Sequence, residues 1–351
     1  MKKNLFLRVI LSGLLLIFSG CYFNNTPFVP SPSGFHLAPD SPFIASGDTI
    51  SGMAGNGERI VAVSREGMIA FSNDSGINWE ALSPDNIKGN FSGGIHFNDI
   101  TWAAGYFLAA GDGGKAAYSS DGLNWQAGVI GPMSPMNILC VASGSIAGRT
   151  VFAAAGINGR LAHAIDSPAG PWYMADQSPF GTAENFGHSV HALAYGIIKG
   201  NGVFVAAGDG GRIAILKDLS GKWYGGRAGT NETFRGLAFG NDRFIAVGDN
   251  GLIKYSFNPR DYTWTTIKDD TLGLRTIQGI SFDPLIKHFI LFTEDTVVGV
   301  SEFGDTWNAA NFRIWFIDAD DNSSEEKIST VNCSAARILM GGSRGTILFS
   351  N

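Results

Sequence analysis

The chain has 351 residues, 44% of them apolar and 16% charged, with 47 glycines and a formal charge of −6 from 25 Lys and Arg against 31 Asp and Glu. The acidic balance excludes the clustered Lys/Arg footprint of a nucleic-acid binder, and a total of three cysteines excludes a disulfide framework. No stretch beyond residue 21 sustains a 3.6-residue apolar stripe, so the composition reads as loop-rich and all-β.

Lys2 and Lys3 open the chain, an apolar run follows from Leu5 to Phe18, and Ser19-Gly20-Cys21 closes it. That order is the order of an export signal, and the run is too short to cross a bilayer comfortably. A cysteine directly after small residues resembles a bacterial lipobox, with Phe18 where Leu is usual. The resemblance implies that residues 1–20 are removed and that Cys21 is lipidated as the mature N-terminus. Removal takes away Lys2, Lys3 and Arg8 and no acid, leaving 22 basic against 31 acidic residues, a formal −9. Residues 21–34 hold Asn24, Asn25, Pro27, Pro30 and Pro32 without any period and are expected to form a flexible tether. A lipid on such a tether holds a domain at a membrane without embedding it. Tyr22 stands where many bacterial lipoproteins kept at the inner membrane have Asp. The resemblance therefore implies the outer membrane, with the domain periplasmic or surface-exposed.

From residue 35 onward one pattern recurs: an apolar strand ending in small residues, a Gly turn, a second strand, a polar turn and a Trp. It is clearest in "RIVAVSREGMIAFSNDSGINW" (59–79), "YFLAAGDGGKAAYSSDGLNW" (106–125) and "RFIAVGDNGLIKYSFNPRDYTW" (243–264). The Trp residues at 79, 125, 172, 223, 264 and 307 are spaced by 46, 47, 51, 41 and 43. A period in the forties with several short strands per unit is that of β-propeller blades. A seventh copy, "RILMGGSRGTILFSN" (337–351), stops after its second strand. The segment "GFHLAPDSPF" (34–43) resembles "WEALSPDN" (79–86), so residues 35–39 are expected to be the missing outer strand, ahead of a first inner strand near 49–54. The expected fold is an all-β, seven-bladed propeller over 35–351, a single monomeric domain closed by its N-terminal strand.

The phrase "SNDSGINW" (72–79) places Ser72, Asp74, Gly76 and Trp79 so that the Asp accepts from its own turn, the Gly takes positive φ and the Trp folds into the blade. "SSDGLNW" repeats it with Ser119, Asp121 and Trp125, one residue shorter, and "SEFGDTW" (301–307) lacks the Asp. The phrase resembles the Asp-box, or BNR-like, repeat of sialidase-like propellers. Degradation between copies is what a turn tolerates and a catalytic site does not, so these residues are read as structural. The repeat as a whole is similar to the Asp-box propellers of the photosystem II assembly-factor type. That resemblance implies a membrane-associated scaffold without catalysis; no photosystem context is visible, so that family's own partner is not carried over.

"GDGG" (111–114, 208–211) and "GDNG" (248–251) sit between apolar strands and are read as hairpin turns, not calcium or phosphate loops. His188 and His191, near Glu184, are read as one loop and one mouth histidine, not as zinc ligands. No cofactor or metal is expected. A sialidase-like reading implies an arginine triad, and only Arg235 and Arg275 offer themselves at a channel mouth. Aligning the inner strands sets Ile50, Asn98, Asn137, His191, Gln278 and Ser329 at the position of Arg235. Mostly polar side chains at the start of apolar strands suggest a binding face for an envelope protein or a glycan. A glycan-processing hydrolase or lyase on the same fold is the competing expectation. The insertion Pro168–Gly187, with Trp172, Tyr173 and Phe180, is expected to form a lip over one face, and Asp318–Glu326 an interblade loop.

Overall fold

The computed structural model describes residues 35–350 except 84–85, 90–93, 176–177, 182–186, 312–313, 318–322 and 334–336, together with the side chains of 311–326. Cys21, the export segment, the tether and Glu184 lie outside the described residues. Apart from the hairpin of Ile314–Ile317 and Ser323–Glu326, the described strands fall into seven blades, each with its inner strand leading an antiparallel sheet. Blade 1 runs through Ile50–Gly55, Ile60–Ser64, Ile69–Ser72 and Glu80–Ala81. Blade 2 begins at Phe97–Ala103, blade 3 at Ile138–Ile146, blade 4 at Val190–Ile198, blade 5 at Phe234–Gly240, blade 6 at Ile277–Asp283 and blade 7 at Ile328–Asn332. Blade 2 carries a further short strand, Ile87–Lys88, parallel to its outer strand Trp125–Val129.

Ring closure is made by the N-terminus. Phe35–Leu37 pairs antiparallel with Ile347–Ser350 as the outer strand of blade 7, and Ala38 N–H donates to Ile347 O at 2.8 Å. The seam between blades 7 and 1 is tied further in, where Asn332 Nδ2 donates to Met53 O at 2.8 Å and Ser329 Oγ to Ile50 O at 2.6 Å.

The core is not one mass but a wedge at each of the seven seams. Cys140, Val151 and Leu161 of blade 3, for example, pack on Phe204, Ala206 and Trp223 of blade 4. The second strands of blades 2 to 6 each supply one fully buried ring, Phe107, Phe152, Phe204, Phe244 and Phe289. Inner strands approach so closely that a Cβ on Gly236 would sit 2.9 Å from Gly279 Cα and 3.0 Å from Ile280 N of the next blade.

Two expectations are corrected. Trp172–Met174 is simply the outer strand of blade 3, and Phe180 is fully buried in the seam between blades 3 and 4. Trp172 and Phe180 thus belong to a blade and a seam and not to a lip, because a large apolar ring gains more from burial than from overhanging a polar face, while 176–177 and 182–186 of the insertion lie outside the described residues. Within the acidic run, Ser323–Glu326 is a strand paired with Ile314–Ile317, while 318–322 lies outside the described residues.

Candidate functional site at the channel mouth

Each inner strand skips one rung of its ladder near its start, in every one of the seven blades. The skipped residues are Ser51, Asn98, Leu139, His191, Arg235, Gln278 and Ser329. A β-bulge leaves one residue unpaired and re-aims its side chain, and these seven all line a single cavity of about 600 Å³ at one mouth of the channel. The residue before each bulge is an apolar anchor: Ile50, Phe97, Ile138, Val190, Phe234, Ile277 or Ile328, all buried.

The anchors correct the alignment made from sequence. Ile50 is itself an anchor, so blade 1 contributes Ser51. Asn137 precedes the anchor of blade 3, and its Oδ1 accepts from Gly113 N–H at 3.1 Å, so Leu139 takes the ring position. Asn98, His191, Arg235 and Gln278 stand where the sequence placed them. Arg275 does not line the cavity; its Nε donates to Asp295 at 2.9 Å on the rim.

The "GDGG" and "GDNG" segments are single 3-10 turns, Asp112–Gly114, Asp209–Gly211 and Asp249–Gly251, whose middle residues take φ of 68°, 64° and 55°. Their carboxylates serve the ring. Asn98 Nδ2 donates to Asp112 Oδ1 at 2.8 Å, and His191 Nε2 and Asp209 Oδ1 are 2.8 Å apart. Arg235 grips Asp249 through Nε and also through Nη2 at 3.3 Å. Burial raises the Asp209 carboxyl, but bonds from His191 and the Ser189 N–H outweigh it and hold it below the usual carboxylate range. Sequence reading missed these partners; the Asp that directly follows the second strand in blades 2, 4 and 5 was the available signal.

Asp99, beside the ring, lines the same cavity and accepts from Ile100 N–H at 2.8 Å and from Val141 N–H of blade 3 at 2.9 Å. Its burial outweighs those bonds and pushes the carboxyl up to about 7. Arg65, Glu294 and Lys327 add exposed charges of both signs to the cavity wall. The mouth therefore offers donors, acceptors and both charges on rigid strands. Among the described residues no group of three or more His, Cys, Asp or Glu is placed to hold a metal ion. Cys140 and Cys333 are free and buried, and burial raises both thiols.

At the opposite end of the blades, the Ser-x-Asp turns join third to fourth strands. Ser72 Oγ accepts from Gly76 N–H at 2.9 Å, Asp74 Oδ1 from Asn78 N–H at 2.9 Å, and Trp79 Nε1 donates to Gly76 O at 2.9 Å. Ser119, Asp121 and Trp125 repeat this around Gly122, with Trp125 Nε1 donating to Gly122 O at 3.0 Å. Ser301 and Trp307 do so around Gly304 without an Asp. A Cβ on Gly76 would lie 2.5 Å from Leu339, and one on Gly304 2.0 Å from Ile245, each on the second strand of the preceding blade. These turns bear on the seams, away from the mouth.

No family model and no curated protein matches the chain. Solved propellers do. The structure of YCF48 bound to D1 peptide superposes with a TM-score of 0.65 at 14% identity, covering 90% of this chain and 94% of that one. YCF48 from Cyanidioschyzon merolae gives 0.65 at 14%, covering 91% and 99%. The Cps50 (Swd1) β-propeller domain of Myceliophteria thermophila gives 0.61 at 12%, covering 86% and 96%. The chain is a seven-bladed β-propeller. At such identities the likeness shows the fold alone.

Proposed function

We propose that this chain is an exported, lipid-anchored propeller that holds a segment of an envelope protein over the bulge ring, as a binding scaffold and not as a catalyst. The observation that carries the reading is the convergence of seven bulge side chains on one cavity, since a fold needing only stability has no use for the same redirected residue in every blade. A structural neighbour that binds a peptide supports a peptide as the ligand class. The anchor fits the same geometry. Phe35 pairs with Ser350, at the end of the third strand, so a tether joined to Phe35 leaves from the face opposite the ring. A lipid on Cys21 would then leave the ring facing away from the membrane, most simply the outer membrane.

A photo-crosslinking residue in place of Gln278, in the full chain and its native envelope, tests the site against the same probe at Tyr173 on the outer edge. The expected result is a discrete protein adduct at 278 that disappears in the Arg235→Ala/His191→Ala variant. A carbohydrate adduct would transfer the reading to a glycan partner, and equal labelling at both positions would remove the ring as the site. For the anchor, Cys21→Ser should abolish labelling by fatty acid and release the chain from membranes; retention on membranes would overturn it.

A further inference from the structure

Blade 4 carries a second cavity of about 500 Å³ on its outer edge, which shares no residue with the ring. Arg212, Lys222 and Arg227 line it, and no acid among the described residues does, although the chain holds more acid than base. Arg212 and Arg227 are directly opposed on the paired strands Arg212–Leu216 and Tyr224–Arg227, where like charges repel. The repeat does not require this, because blade 2 sets Lys115 against Val129 at the equivalent rung. Neither guanidinium is in an ion pair; those among the described residues engage Arg149, His191, Arg235 and Arg275. Arg227 donates to the neutral Asn231 Oδ1 at 3.0 Å, and Arg212 Nε is buried without a partner. Trp223, only 3% exposed, lines the same cavity, and its indole N–H is also unpartnered.

Two buried donors call for an acceptor, and two opposed guanidiniums call for negative charge between them. An oxyanion meets both needs, since a carboxylate or phosphoryl group accepts from arginine forks with matched geometry. We infer that this cavity binds a ligand through a phosphoryl or carboxylate group seated between Arg212 and Arg227, with the Trp223 N–H as a third donor.

The test is thermal melting of the full chain in inorganic phosphate or malonate, at ionic strength held constant with chloride. Phosphate, malonate or both should raise the wild-type midpoint by about 2 °C or more at saturation, and whichever works names the oxyanion. In Arg212→Gln/Arg227→Gln that gain should vanish, while without any anion the variant should melt no lower than wild type, because the repulsion is gone. A variant that melts lower in chloride alone, or that gains as much from the anion, would overturn the inference by giving the arginines a purely structural role. Should the double variant fail to fold, Arg227→Gln at the exposed strand end and Trp223→Phe carry the same comparison. A midpoint that moves with neither anion ends the proposal and leaves the ring reading untouched.

Discussion

Asp99 gives the wall of the mouth a pH dependence whose size follows from its surroundings. Its carboxyl is lifted from the ordinary 3.8 to about 7 by burial, against the two backbone N–H bonds that favour its charged form. In the unfolded chain burial and bonds are both lost, and the group returns to about 3.9. Between about pH 4 and 7 the folded chain therefore holds a proton that the unfolded chain has released. The stability this provides is fully present below about pH 4 and is lost as pH rises to about 7. Roughly three units at about 1.36 kcal/mol each set a ceiling of about 4 kcal/mol. The cavity wall is open to water, so screening should leave about 1–2 kcal/mol. His163 slopes the other way: burial lowers its imidazole, so its contribution is lost as pH falls. Comparing wild type with Asp99→Asn cancels that slope, as His163 is untouched in both. Urea unfolding of the two proteins at about pH 4.5, 5.5, 6.5 and 7.5 is the assay. The variant carries a constant cost for one lost acceptor, since its amide NH2 only donates, and its stability relative to wild type should climb by about 1–2 kcal/mol across the series. A difference that stays flat with pH would refute the buried-carboxyl argument.

Three further expectations concern the frame. Phe35 is buried against Ile290 and Phe292 of blade 6, so Phe35→Ala should cost about 3–5 kcal/mol in denaturant unfolding; a loss under about 1 kcal/mol would mean the N-terminal strand does not hold the ring shut. Ser119→Ala strands the Gly122 N–H that Ser119 Oγ accepts at 2.8 Å, which should cost about 1–2 kcal/mol by thermal melting, without change in crosslinking at the mouth. Gly236→Ala drives a Cβ into the backbone of Gly279 and Ile280. It should cost about 1–3 kcal/mol, and a neutral result would show the inner strands to be less tightly apposed than drawn.

Much of the frame was legible because a turn needs the same residues wherever it recurs. Trp79, Trp125 and Trp307 each donate to the carbonyl of a Gly three residues earlier, a purely local arrangement that spacing can reveal. Where that Gly is missing, as before Trp223 and Trp264, the indole N–H has no partner, and there the Trp spacing alone carried the repeat. The clasp was legible as a deficit, a seventh copy short of one strand. The site was harder, because a bulge belongs to the pairing of two strands and not to either alone. Polarity picked out Asn98, His191, Arg235 and Gln278, but it also picked Asn137 ahead of its anchor and missed Ser51. The ring's carboxylates stand 14 or 18 residues along the chain from their partners, and only the fold of each blade joins them. Arg212 and Arg227 met only once the register was known.

The two ends of the blades are under different physical constraints, and this bears on where specificity resides. At the Ser-x-Asp end, Gly76 and Gly304 press on side chains of the preceding blade, so a change there is felt across a seam. At the mouth, the anchor is fixed by burial, whereas the residue after it has left the ladder and faces a cavity. Its identity runs from Leu139 through Ser51 and Gln278 to Arg235, a range of size and charge that no packing role would accept. The backbone thus fixes where each of the seven side chains is delivered and leaves its chemistry free. Apart from Ser329 and Asn98, which also bond to backbone carbonyls of the neighbouring blade, substituting ring residues should change what is bound at little cost in stability, whereas substituting anchors should unfold blades before binding can be measured.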